Sequence, residues 1–255
     1  MSSPRVESRY GVQITANKGI SMNRFVGASL LVSMAAFLPF AGAGGKDEDP
    51  KEALQALQDF IGGWKGSGSN EKTKDIWKES IDWSWRFKGN DAWLTVRFTG
   101  SKLYKNGEIR WLADKSKYQL TLTDKQDKKA VFLGELKKEA LVLERVNPDT
   151  KDTELLKIKT AAQGVRTVYD FSVRPEGRTL AFKTYQLAYT KEGEAFGADT
   201  NKKPECVVTG GLGTMAVTFN GATYYVCCSG CRDAFNDNPA KIVAQYLAKK
   251  KKAGS

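Results

Sequence analysis

The stretch "ESIDWSWRFKGNDAWLTVRFTG", residues 79 to 100, decides the fold. Ile81, Trp83, Trp85 and Phe87 alternate with polar residues, and after Gly89-Asn90 the alternation resumes at Leu94, Val96 and Phe98. A period of two sends successive side chains to opposite faces, so each run reads as a strand with one buried face. The Gly-Asn pair between the runs reads as a turn. The same pattern returns at Val165, Thr167, Tyr169, Phe171 and Val173. Further turn signals stand at Asn106-Gly107, Asp124 to Asp127, Asn147-Pro148-Asp149 and Pro175-Glu176-Gly177. This spacing predicts a mainly β chain from Trp64 to about Gly193, with roughly eight to ten antiparallel strands in consecutive hairpins. So many strands leave exposed edges unless the sheet closes. An up-and-down β-barrel over residues 50–193 is therefore expected, with a sandwich as the alternative.

Ahead of the strands, Asp49-Pro50-Lys51-Glu52 supplies an N-cap, a proline at the first helical position and a glutamate two residues later. A short helix is expected, with Leu54, Leu57 and Ile61 on one face and Gly62-Gly63 ending it. Further upstream, Met22 to Ala43 joins one arginine to an apolar run reaching Phe40, followed by small residues. This reads as a secretory signal peptide ending near residue 43, with 1–21 an over-extended start and Met22 a candidate first residue. The apolar run is interrupted by Ser and Pro and is short for a span. The expectation is an exported protein, periplasmic or secreted, with no stable membrane span after cleavage.

The formal net charge is +11 over 255 residues. Lysines and glutamates are interspersed, as in "GELKKEALVLERV", rather than gathered on one face, and Lys249 to Lys252 form a basic tail over 249–255. That arrangement gives a solvated surface and no nucleic-acid interface. Histidine is absent, which removes the usual general base and the usual nitrogen ligand for a metal. The Asp and Glu residues read as solvent-facing, with no catalytic pair among them, so no enzymatic activity is expected. All six tryptophans fall between Trp64 and Trp111. Either Trp83, Trp85 and Trp93 line a cavity for a small hydrophobic ligand, or the tryptophans simply fill the barrel.

Beyond a polar linker at 194–204, composition changes. Asn220-Gly221 separates Met215–Phe219 from Ala222–Val226, a strong hairpin signal. The second strand runs into "VCCSGC", which delivers Cys227, Cys228 and Cys231, while Cys206 lies upstream. Residues 231 to 235 read as a helical turn, and Asn238-Pro239 opens a second helix bearing Ile242, Val243, Tyr246 and Leu247. About fifty residues of this kind need a staple. Cys206, Cys227 and Cys231 can converge on one metal ion, with the fourth position open or filled by Cys228, or the cysteines can form a disulfide. Cys228 has three readings: fourth ligand, reactive thiol or small buried hydrophobe.

Two resemblances follow from these residues. Cys206, the hairpin, "GATYYVCCSGC", Phe235 and "NPAKIVAQYL" resemble the treble-clef-like YHS or TRASH module over about 205–247. The resemblance implies a module at 205–248 binding a soft or transition metal, copper or zinc, with Cys206, Cys227 and Cys231 in the usual ligand places. It also marks Thr209 as a departure, since many members have a cysteine there, and a hydroxyl is a poor ligand for a soft metal. The opening "LQDFIGGWKGSGS" resembles lipocalin-like and fatty-acid-binding-like barrels, which implies the same closed sheet over 52–193. The expected function is that of an exported, non-catalytic metal-binding protein. The alternative makes the barrel a hydrophobic-ligand carrier and the cysteines a disulfide staple.

Overall fold

The structure, a computed structural model, describes residues 49–162, 164–192 and 204–253. The described residues fall within one compact unit. The expected signal peptide at 1–43, most of the expected linker and residues 254–255 lie outside the described residues. No described helix is long and apolar enough to cross a membrane.

Ten antiparallel strands close into a barrel, each hydrogen-bonded to its sequence neighbours and the first to the last. They are β1 (Gly62–Asn70), β2 (Ile76–Lys88), β3 (Asp91–Thr99), β4 (Tyr104–Leu112) and β5 (Lys117–Asp124), then β6 (Lys129–Lys137), β7 (Ala140–Val146), β8 (Thr153–Ala161), β9 (Arg166–Arg174) and β10 (Phe182–Lys191). The up-and-down barrel is the expected fold, and closure between β1 and β10 leaves no open edge. Alternation decides what lies inside. Ile81, Trp83, Trp85, Leu94, Val96, Ile109, Leu120, Phe132, Leu143, Ile158 and Leu187 are all buried in one core. Burying a large apolar side chain contributes about 1.5–3 kcal/mol, so this core dominates the stability of the fold.

One end of the barrel is covered by α1 (Pro50–Gln55), whose N-cap Asp49 accepts a hydrogen bond from the Lys51 amide at 2.9 Å. The helix is shorter than expected. It breaks after Gln55 into a 3-10 turn at Gln58–Phe60, so Ile61 is not helical. Trp64 Nε1 donates to the Phe60 carbonyl at 2.8 Å and Tyr118 OH to that of Ala53 at 2.8 Å. These bonds from the barrel wall take carbonyls that a continuing helix would have used.

A second departure concerns Asn106-Gly107, which lies within β4, paired to β3 and β5, and is not a turn. A Cβ on Gly107 would lie 2.8 Å from Leu122 Cδ2 and 3.1 Å from Val96 Cγ1. The glycine is there for a close approach of neighbouring side chains, not for a chain reversal.

After the barrel come the hairpin β11 (Met215–Phe219) and β12 (Ala222–Val226), then α2 (Ser229–Asp237) and α3 (Pro239–Ala253). Asn220 and Gly221 both have positive φ, +49° and +76°, as a type I′ turn requires. Asn238 Oδ1 caps α3 by accepting from the Lys241 amide at 3.2 Å.

Candidate metal centre

Three local features carry the cysteines to one point. The Cys206 loop turns back on itself where the Gly210 amide donates to the Cys206 carbonyl at 2.8 Å, and Gly210 takes φ +80° to do so. The loop lies along β12, with the Val207 amide donating to the Tyr225 carbonyl at 2.9 Å. β12 ends at Val226, so Cys227 follows directly, and Cys231 sits in the first turn of α2.

The ligand sulfurs of Cys206, Cys227 and Cys231 all lie within 4.8 Å of one another, and all three residues are buried. Cys227 Sγ and Cys231 Sγ are 3.4 Å apart. Tetrahedral zinc, with bonds of about 2.3 Å to sulfur, spaces its thiolates about 3.8 Å apart, so the cluster already has the dimensions of a three-thiolate site. The cysteines are free thiols in the structure. A disulfide would have to draw one pair in to about 2.05 Å. The N-terminal amides of α2 add positive potential beside Cys227 and Cys231, which favours thiolates.

Hydrogen bonds from Cys227 and then Cys231, joined by Thr209, pull the Cys206 thiol well below its ordinary range despite burial. Sharing with Cys206 pushes Cys227 up, and burial pushes Cys231 up. Hydrogen bonds from Cys227 and Cys231 likewise draw the Cys228 thiol down against its burial.

Thr209, where the resembled module often has a cysteine, is buried with its Oγ1 3.6 Å from Cys227 Sγ. A weak oxygen donor therefore stands where a fourth sulfur would complete the set. Cys228 has another engagement. Its sulfur is 3.9 Å from Cys227 Sγ and accepts the Trp85 backbone N–H at 3.3 Å. The β1 ladder on β2 stops at Trp83, opposite Gly62, so the Trp85 amide lies beyond the last pair on that side. Cys228 satisfies it in place of a strand. Replacing Cys228 by Ala should leave metal stoichiometry unchanged but cost about 1–3 kcal/mol in urea unfolding, the penalty of an unsatisfied buried amide. Loss of metal in that variant would instead make Cys228 a ligand.

Other contacts tie the Cys206 loop to the barrel cap. Gln55 Nε2 donates to the Thr209 carbonyl at 2.8 Å, and the cap is in turn tied to the barrel wall where Trp85 Nε1 donates to Gln58 Oε1 at 3.1 Å. No local motif announces these bonds. Their partners lie far apart in sequence.

The candidate barrel-ligand tryptophans separate. Trp83 and Trp85 are inside, at 2% and 0% exposure, with Trp83 Nε1 donating to Tyr169 OH at 2.8 Å and Trp85 stacked on Phe87. Trp93 faces outward beneath the Arg110 guanidinium, 4.4 Å from its ring centroid. It is out of phase with Leu94 and Val96, so it does not share a cavity with the other two. A groove of about 570 Å³ on the outer wall is lined by Asp82, Arg86, Arg97, Glu108 and Lys129, a charged surface unsuited to an apolar ligand.

One acid departs from the solvent-facing reading. Glu79 is buried in β2, in phase with Ile81 and Trp83, and accepts hydrogen bonds from Trp77 Nε1 and Tyr189 OH. Burial, with the Glu79 charge beside it, pushes the Tyr189 phenol up, so Tyr189 remains a donor. The phase of residue 79 on β2 is the signal in the sequence for this inward position, against the general rarity of buried carboxylates.

No family model matches the chain, and no curated protein matches it. Among solved structures, the crystal structure of Rv2717c from M. tuberculosis is similar at a TM-score of 0.36 and 17% identity, covering 55% of this chain and 97% of that one.

Proposed function

We propose that the chain is an exported, non-catalytic binding protein in which a YHS/TRASH-like segment, seated on a β-barrel, holds one soft transition-metal ion, Cu(I) or Zn(II). The observation that carries this reading is the mutual approach of the three buried sulfurs, Cys206, Cys227 and Cys231, to within 4.8 Å. Soft thiolates select these ions over calcium or magnesium, and a chain without histidine offers no competing nitrogen set. Holding rather than turnover is favoured because the donors lie among apolar residues such as Val207, Val226 and Phe235. The carboxylate next to them in sequence, Glu205, is paired with Lys250 at 2.6 Å, which occupies it as an ion-pair partner.

The test is elemental analysis with a parallel thiol count on the protein purified from its exported compartment and under reducing conditions. Near-stoichiometric copper or zinc with four titratable thiols after denaturation in chelator supports the reading. Two or four missing thiols with no metal in either preparation contradicts it. A gain-of-function variant sharpens the point: Thr209→Cys supplies a fourth sulfur beside Cys227. It should raise metal affinity at least about tenfold in chelator competition, because a thiolate replaces a neutral hydroxyl.

A further inference from the structure

Resting on that metal reading, we propose that the centre takes its fourth donor from outside the chain, as a small anionic thiol entering through a cavity beside Cys206. Within the chain the fourth place is poorly provided. Thr209 presents a neutral oxygen, and Cys228 is held by the Trp85 amide.

A cavity of about 120 Å³ opens at this point, lined among others by Lys51, Cys206, Thr209, Tyr246 and Lys249. Its walls come from α1, the Cys206 loop and α3, the three segments that meet around Gly210. A Cβ added to Gly210 would lie 3.3 Å from Glu205 Oε1 and 3.8 Å from Lys249 Nζ, which places both that carboxylate and that ammonium at the turn carrying Thr209. Glu205, the acid in the lining, is paired with Lys250 at 2.6 Å. Lys51 and Lys249 therefore leave the cavity with a net positive charge.

Size and charge together select the occupant. The space suits a molecule of a few heavy atoms rather than a protein loop. A soft metal selects sulfur, and two lysines select a second, anionic group on the same molecule. Binding is a ligand addition: the sulfur forms a bond to the metal, the thiol proton passes to solvent, and no electron is transferred.

The experiment uses the full chain loaded with Co(II), whose visible bands report the number of sulfur donors. Mercaptoacetate is titrated in, with 2-mercaptoethanol and acetate as partners lacking the charge and the sulfur respectively. The expected result is a saturable shift to four-sulfur bands with mercaptoacetate, at an apparent Kd about fivefold or more below that for 2-mercaptoethanol, and no shift with acetate. In a Lys51→Gln, Lys249→Gln variant, read relative to Co(II) loading on the same sample, the advantage of mercaptoacetate over 2-mercaptoethanol should disappear. Four-sulfur bands before any thiol is added, Co(II) loading without a shift, or an equal response to both thiols overturns the proposal while leaving a metal site in place. Failure of Co(II) to bind at all defeats the metal reading and this proposal together.

Discussion

Replacing Cys227 and Cys231 together by serine is expected to abolish metal binding, from about one ion per chain to none, while the barrel stays folded. Both residues are contributed by the short path from β12 into α2, and both sulfurs lie in the three-sulfur cluster. Structural zinc sites contribute apparent binding energies of about 10–16 kcal/mol. The barrel core holds its own ladder and interior, so the loss should fall on residues 205–253. Hydrogen exchange should show protection lost across β11, β12, α2 and α3 and retained in β2 to β9. Equal loss of protection in both regions would contradict this division, as would metal retained at full stoichiometry.

A substitution with no chemical role in the centre should have the next largest effect. Gly230, in the first turn of α2, lies so close to β2 that an added Cβ would overlap the Trp85 carbonyl oxygen. Two effects oppose one another in Gly230→Ala. Alanine gains about 0.5–1 kcal/mol over glycine inside a helix. Overpacking typically costs about 1–3 kcal/mol, and here the obstructing atom is backbone, which cannot rotate away. The clash should win, with a net loss of about 2 kcal/mol in urea unfolding. Displacement of α2 would also break the Cys228 to Trp85 hydrogen bond and move Cys231, so metal affinity should fall in the same variant. Unchanged stability with unchanged affinity would show that α2 does not depend on this contact.

The parts of the structure legible in the sequence are those governed by local periodicity. Trp83 and Trp85 alternate with polar neighbours, and Asn220-Gly221 suits only a tight hairpin, so β2 and the β11–β12 pair follow from short-range rules. Asn106-Gly107 misleads for the same reason. The dipeptide signals a turn locally, but Gly107 answers to a neighbouring strand's Leu122. The cysteine spacing pointed to Cys206, Cys227 and Cys231 as a group. It could not show that Cys228 is taken up by Trp85, a residue 143 positions away. Nor could it place Thr209 among the sulfurs. Those facts depend on how the segment after residue 204 seats itself on the barrel, which no pattern within either stretch encodes. Trp93 was separable from Trp83 and Trp85 by phase alone, since it precedes Leu94 on β3 and so faces the other way.

The central claim is that three protein sulfurs hold one soft metal ion, and X-ray absorption on the protein as isolated tests it most directly. The predicted result is a copper or zinc edge whose first shell contains three sulfur scatterers at about 2.3 Å, with no imidazole contribution. A shell made of oxygen or nitrogen alone, or no metal edge together with a disulfide joining Cys206 to the 227–231 cluster by mass, would contradict it.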